Sequence, residues 1–584
     1  MQSKRVLRLM FLAMICYLLP AHGAGTWKAL THKTPNLSPN GNPSLMLLLS
    51  DGTVMVENDP TGNGGTNWFR LTPDSQGSYA NGTWSVLAPM QYSRAGCSSD
   101  IMTNGQVFIA GAEYGTGNAT SEIYDPVSNI WKQVSVPTNL LDPTQLSPIW
   151  GGGTHQGFGE SDSIVLPSGK VLVSPVAVRY ANETMLYDPV SNAFSAGPNL
   201  RVSSQDEASW VKLPDQSVLT IDPSGTTSER YIPSLNQWIA DTSPPINIYS
   251  GNGTAAPGEV GPALLLPNGK AIFFGASSDN LIYTPSGSTL HGTWTQAASF
   301  PTVGTNAQGM TDAPGCMMPN GKILVVTGPV ASFNSPISFF EYDYVANSFT
   351  QILGPPGNGT NAATYYTKFL QLPDGTVLWN FGSPQMYNYV PDGIQLAQAK
   401  PIINSIAPNV DGSYHLTGHG LNGISAGAAY GDDAQMDSNF PLVRLTNNVG
   451  QVYYARTYGW TSTGVMNSNV EVSTEFTLPV TLPAGTYQLM AVANGIASDP
   501  VPFTIPLTAP IITSFNFDGG NALFNCANGL AGRTYFLLTS TEIPATPWNI
   551  IATNFLQTNG PFTIGASNIV TFDELQRYFT VRAQ

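Results

Sequence analysis

One short phrase occurs seven times in this chain: an apolar strand, a tight turn, and a second apolar strand. The copies are LLLSDGTVMV from Leu47, DIMTNGQVFIAG from Asp100, SIVLPSGKVLV from Ser163, SWVKLPDQSVLTI from Ser209, GPALLLPNGKAIFFGA from Gly261, GCMMPNGKILVVTG from Gly315 and FLQLPDGTVLWNFG from Phe369. Asn268-Gly269 reads as a two-residue type I′ hairpin turn, with φ > 0 at both positions. Glycine fills the turn at positions 52, 105, 169, 269, 321 and 375, and Gln216 replaces it in the fourth copy. Gln216 is therefore expected at a positive φ that a side chain disfavours.

Each hairpin is followed by a tyrosine strand, a turn and a Trp or Phe strand, as in SEIYDPVSNIW from Ser121, TMLYDPVSNAF from Thr184 and SERYIPSLNQW from Ser228. Four strands per repeat, at 47–64 residue spacing, predict an all-β fold built on a seven-bladed kelch-type β-propeller. The seventh copy reaches MYNYVPDG from Met386 and has no Trp strand after it. GTWKAL from Gly25 is expected to supply that strand and close the ring, which removes free sheet edges. The propeller spans 24–399. Short alternating strands then predict an immunoglobulin-like β-sandwich over 400–507 and a small C-terminal β module over 508–584.

Residues 1–23 read as a secretory signal peptide: Lys4, Arg5 and Arg8 precede an apolar run over 9–19, and Ala21 and Gly23 are small. The expected location is therefore secreted, extracellular or periplasmic, with no transmembrane segment and a monomeric chain. The formal net charge is −15, which argues against nucleic-acid phosphates as a partner. Only 10% of residues are charged, against 58 glycines and 46 prolines, a balance that suits turn-rich β structure better than disorder. Cys97, Cys316 and Cys526 remain after the signal; their number and spacing predict buried thiols rather than a disulfide framework.

The repeats and the following sandwich resemble the galactose-oxidase-like family, which includes copper radical oxidases. NWFRLTPDSQGSYANGTW, AAYGDDAQMDSNFPLVRLTNN and VYYARTYGW resemble a branch of secreted bacterial kelch proteins. The resemblance implies a copper site of two Tyr and two His, with one Tyr joined to a Cys. Cys97 stands about where that Cys belongs. Its Tyr partner is absent from GFGESD, which offers Phe158 and Glu160. The Tyr-His pair reads Tyr365-Tyr366, and the loop 432–439 has no His. Copper(II) favours imidazole, so copper is not expected here.

One constellation of candidate ligands remains. Glu160, Glu207, Glu259 and Asp312 lie nine or ten residues before the turn in four successive repeats, and Asp206 adjoins Glu207. Equivalent positions in successive blades meet at one mouth of the central channel. The acids there either accept hydrogen bonds from neighbouring loops or hold a hard cation such as Ca²⁺, or a polyol. Paired acids also fit a hydrolase. Arg94, Tyr365 and Tyr366 join them as ligand-binding candidates, since tyrosine beside acids can stack on a sugar. His415 and His419 lie too far apart along a strand to share one ion, about 13 Å at ~3.3 Å per residue. Gly423-Ile-Ser425-Ala-Gly427 lacks the helix that a nucleophile elbow needs. The expected function is a secreted binding protein for carbohydrate or another cell-surface or extracellular polymer. The rivals are a divergent galactose-oxidase-like oxidoreductase and a carboxylate-dependent hydrolase.

Overall fold

A computed structural model describes residues 24–583, except 36–41, 61, 63, 118–119, 141–146, 150–152, 156–161, 176–181, 203–204, 206–207, 224, 250–259, 331–332, 358–359, 431–433, 507–508, 544–547 and 570–575. The signal-peptide expectation thus falls outside the described residues. The structure is all-β, and no described helix is long and apolar enough to cross a membrane.

The seven repeated turns share one geometry, and it corrects the sequence reading. In the fifth copy Gly269 N–H donates to the Leu266 carbonyl at 2.9 Å, and Leu266 N–H to the Lys270 carbonyl at 2.7 Å. The loop therefore holds three residues, a type I turn closed by one left-handed residue, and is not the two-residue type I′ turn. Pro267 explains the choice, because its fixed φ suits the first corner of a type I turn. Asn268 then caps the turn, its side chain accepting Lys270 N–H at 3.1 Å. Asp51, Asn104, Ser168, Asp215, Asn320 and Asp374 do the same in the other copies. Only the third loop residue needs the left-handed region. Gln216 sits there at φ 67°, as expected.

The second repeated turn is held by a side chain. Tyr124, Tyr187, Tyr231 and Tyr342 each donate a phenolic hydrogen bond to an asparagine five residues on, at 2.8–2.9 Å. Those asparagines, 129, 192, 236 and 347, have φ between 48° and 54°. Asparagine tolerates this conformation better than most side chains because its short amide bonds locally.

These hairpins build six four-stranded sheets among the described residues, and in the sixth repeat four such strands continue into a seven-stranded sheet. Their first strands are Pro43–Leu48, Ser98–Ile101, Ser163–Val165, Trp210–Lys212, Ala263–Leu265, Gly315–Met317 and Lys368–Gln371. The seventh sheet takes its fourth strand from Thr26–Ala29, which pairs with Tyr387–Val390. Trp27 donates its indole N–H to the Leu353 carbonyl at 2.7 Å. Trp84, Trp131 and Trp294 make the same kind of bond to the linker before their own sheets. The N-terminal strand thus does for the seventh sheet what the last strand does for the others.

Eight connected strands follow, from Ile402–Pro408 to Val501–Ile505, around Leu416, Val443, Leu445, Phe476, Leu489 and Phe503. This unit packs on the repeated turns. Arg456 donates to the Asn104 carbonyl at 2.9 Å, and Thr457 N–H to that of Ser50 at 3.1 Å. Two three-stranded sheets between Ile511 and Ala583 complete the chain.

Candidate functional site

One hairpin leaves the eight-strand unit and runs in among the first strands of the seven sheets. Its arms are Gly427–Ala429 and Gln435–Asp437. The first arm pairs with the sixth sheet, Gly315 opposite Ala429 and Cys316 opposite Ala428. On the other arm, Gln435 accepts from the Ser99 hydroxyl at its main-chain oxygen (3.0 Å) and from the Ser163 hydroxyl at its side chain (3.1 Å). Its amide donates to Asp162 at 3.2 Å. The hairpin thus ties the second, third and sixth sheets together from inside.

Below its tip lies a buried charged group. Lys212 donates to the carbonyls of Val165 and Thr463, both at 2.8 Å. Burial lowers its pKa, while the carboxyls of Asp437 and Asp100 act against that. Burial pushes Asp437 up to about 6, opposed by Lys212. Asp100 is pushed well above its ordinary value by burial and then by Asp437.

Beside its tip the hairpin meets the seventh sheet. Tyr365 and Tyr366 lie in a single 3₁₀ turn, Thr364–Tyr366, just before the first strand. Their rings are 4.2 Å apart, and Phe333 stands edge-on to Tyr365 at 5.5 Å. All three are open to solvent, Phe333 at 42%, Tyr365 at 37% and Tyr366 at 48%. Lys368 fixes the turn from below. Its ammonium donates to the Tyr365 carbonyl at 3.0 Å and rests 3.5 Å from the ring centre of Tyr430, at the hairpin tip. Burial, and then the neighbouring Tyr366, push Tyr365 up to about 12, so it is a neutral phenol at physiological pH. Behind Lys368 the buried Glu57 is pushed up to about 8 by burial and by Asp59, with Gly65 N–H and Lys368 acting against this.

The predicted ligand residues divide. Glu160, Asp206, Glu207 and Glu259 lie outside the described residues. Asp312 is half-buried, with a left-handed φ of 41°, beside Thr311, whose carbonyl accepts from Thr364 in the tyrosine turn. Arg94 is corrected. Its guanidinium is fully buried and donates to the carbonyls of Gly111, Gly117 and Thr120, to the Thr120 hydroxyl and to Glu122 at 3.0 Å. With no open face it is a strut of the second sheet. Lys368, Tyr430 and Phe333 were missed, because two of them come from segments far from the hairpin pattern.

Cys97, Cys316 and Cys526 are buried thiols. Ser425 is fully buried, which removes the nucleophile reading of its motif. No three His, Cys, Asp or Glu side chains among the described residues are grouped as a metal would need. The donors around Tyr365 are phenols and an ammonium, with no imidazole, so this set does not fit copper(II).

No protein-family model matches the chain, and no curated protein matches it. Among solved structures, a fungal alcohol oxidase of the AA5 family in complex with copper is similar at 16% identity, covering 83% of this chain and 100% of its own, with a TM-score of 0.49. A streptogramin B lyase is similar at 11% identity, covering 63% of this chain and 98% of its own, with a TM-score of 0.40. The extracellular domain of a putative hybrid two component system from B. thetaiotaomicron is similar at 12% identity, covering 83% of this chain and 60% of its own, with a TM-score of 0.41.

Proposed function

We propose that this chain is a secreted binding protein whose ligand face is the channel mouth, and that the ligand is a carbohydrate of an extracellular or cell-surface polymer. In this reading residues 24–399 are a seven-bladed kelch-type β-propeller, 400–507 an immunoglobulin-like sandwich, 508–584 a C-terminal β module and 1–23 a cleaved signal. The observation that carries it is the pair of solvent-open tyrosines braced by Lys368 and Phe333. Rigid, half-exposed rings offer a large apolar face at small entropic cost, with a phenol at the edge to bond a hydroxyl. The acids Asp312, Glu160, Glu207 and Glu259 would supply hydroxyl acceptors or a Ca²⁺ site beside them.

A glycan array probed with the wild type and with the Tyr365→Ala/Tyr366→Ala double variant tests this. Wild-type binding to a defined glycan, lost at least tenfold in a variant of unchanged melting temperature, is the expected outcome. No binding by the wild type, or equal binding by the variant, overturns it.

A further inference from the structure

The second and fourth sheets hold their incoming linkers with the same carboxylate. In the second, Glu122 accepts the N–H groups of Gln91 (2.8 Å) and Tyr92 (3.4 Å). In the fourth, Glu229 accepts those of Arg201 (2.6 Å) and Val202 (2.8 Å). Each Glu lies two residues before the tyrosine of its repeat. What faces the carboxylate differs. Glu122 is paired with Arg94 at 3.0 Å, and both are buried. Eleven residues before the turn, where the second repeat has Arg94, the fourth has Gln205.

Gln205 brings an amide and no charge. It accepts from Thr220 at 2.6 Å and Trp210 at 3.1 Å, and donates to Asp222 at 3.3 Å. Glu229 lies directly across the ladder from Thr220, and Asp222 follows two residues later, so the two carboxyls share one face of the sheet. Asp222 is 0% exposed and Glu229 1%. Among the described residues, the groups facing them beyond each other are Thr227, Gln205 and the two linker N–H groups. Arg230 points to the opposite face, where it pairs with Asp241 at 3.1 Å and Asp215 at 3.3 Å. The Arg201 side chain is exposed. Asp206 and Glu207, which follow Gln205 in the sequence, lie outside the described residues.

Two buried carboxyls with no cation against them do not both ionise cheaply; one proton held between them removes the repulsion and makes a hydrogen bond. We propose that the fourth sheet carries a proton-operated latch, in which one proton shared by Asp222 and Glu229 keeps the linker at Arg201 and Val202 fastened to the sheet. Burial and the neighbouring Asp222 push Glu229 up to about 7, which agrees with the latch opening near neutral pH. The second sheet needs no such proton, because Arg94 neutralises its clamp.

Amide hydrogen exchange reads this within one molecule, with Gln91 and Tyr92 as the internal control. Between pH 6 and pH 8.5, protection at Arg201 and Val202 should fall at least tenfold relative to Gln91 and Tyr92. In Asp222→Asn, where no second charge arises, that ratio should stay constant. A parallel change at both clamps, no change at either, or the same fall in Asp222→Asn overturns the proposal. Should that variant not fold, the ¹³C carboxyl titration of Glu229 in the wild type decides. A midpoint above pH 6 supports the latch, and one at pH 6 or below overturns it.

Discussion

The two ends of the repeated sheets are built on opposite terms. At the turn end, seven loops repeat one hydrogen-bond pattern, and most are covered by the eight-strand unit. At the other end Tyr365 and Tyr366 stand open to water, 37% and 48% exposed. Repetition goes with a shared docking task, since each turn must offer the same backbone shape to what covers it. Among the described residues, the tyrosine turn at the other end carries no such docking contact with the repeated turns and is left open.

The seventh sheet, completed by Thr26–Ala29, serves both ends, so the loss of that strand should have the largest effect. Trp27 packs against Phe339 at 5.2 Å, Trp379 at 5.7 Å and Tyr389 at 4.9 Å. Trp27→Ala should cost about 3 kcal/mol, and deleting residues 25–30 more, with aggregation through the exposed edge. A monomeric deletion variant with an unchanged denaturation midpoint would show that the N-terminal strand is dispensable.

At the turn end the expected weak point is Asn494. Its side chain accepts from Ile424 and Ser425 N–H at 2.8 and 3.2 Å and donates to Ser425 O and Ser438 Oγ, both at 3.0 Å. Ser438 in turn bonds Gln371 of the seventh sheet at 2.7 Å. Asn494→Ala strands several buried groups and should cost about 3 kcal/mol. The tyrosine turn at the far end should keep its amide-exchange protection. If it loses protection in step, the two ends are coupled through the hairpin and are not separate.

The mouth should respond instead to pH. Glu57 is held protonated in the fold, up to about 8 against an ordinary 4.5. The folded state therefore binds a proton that the unfolded state has lost across that window. Stability should be highest at its acid end and fall as pH rises towards about 8, by up to about 1.4 kcal/mol per pH unit. Urea midpoints at pH 5, 6.5 and 8 check the sign, and Glu57→Gln should flatten the slope. Stability that climbs with pH would mean Glu57 is ionised against Lys368.

The turn end was far more legible in the sequence than the mouth, for physical reasons. A left-handed position must be marked by Gly, or by an exception such as Gln216, and alternating apolar residues fix the strands on either side. Even so, Asn268-Gly269 was misread, because the pair serves two turn types and Pro267 decides between them. The hairpin 427–437 was not legible as a link between the sheets, since three-residue arms such as GAA and QMD carry no alternation to score. Arg94 misled for a different reason: a charged residue beside a strand start looks the same in sequence whether it faces a ligand or Glu122. The tyrosine pair was visible, but the Lys368 and Tyr430 that brace it depend on contacts between distant segments.

The smallest expected effect is the sharpest test of why the turn end repeats. Gln216 occupies at φ 67° the place that glycine holds in the other six copies. A side chain there costs roughly 1 kcal/mol in backbone strain, which Gln216→Gly would relieve. Two losses oppose that gain. Glycine costs about 0.5–1 kcal/mol more than a residue with a Cβ to order on folding. The glutamine side chain also lies against Gly464 of the eight-strand unit, so close that a Cβ there would stand 3.2 Å from it. The terms nearly cancel, and Gln216→Gly should change the unfolding free energy, read by urea denaturation, by no more than about 0.5 kcal/mol. Gln216→Val should destabilise clearly, since a β-branched residue keeps the strain and fits this contact badly. A glycine variant more stable by well over 1 kcal/mol would mean the turns are selected for backbone shape alone. A loss of that size would mean that docking against the eight-strand unit chose the residue and the backbone yielded to it.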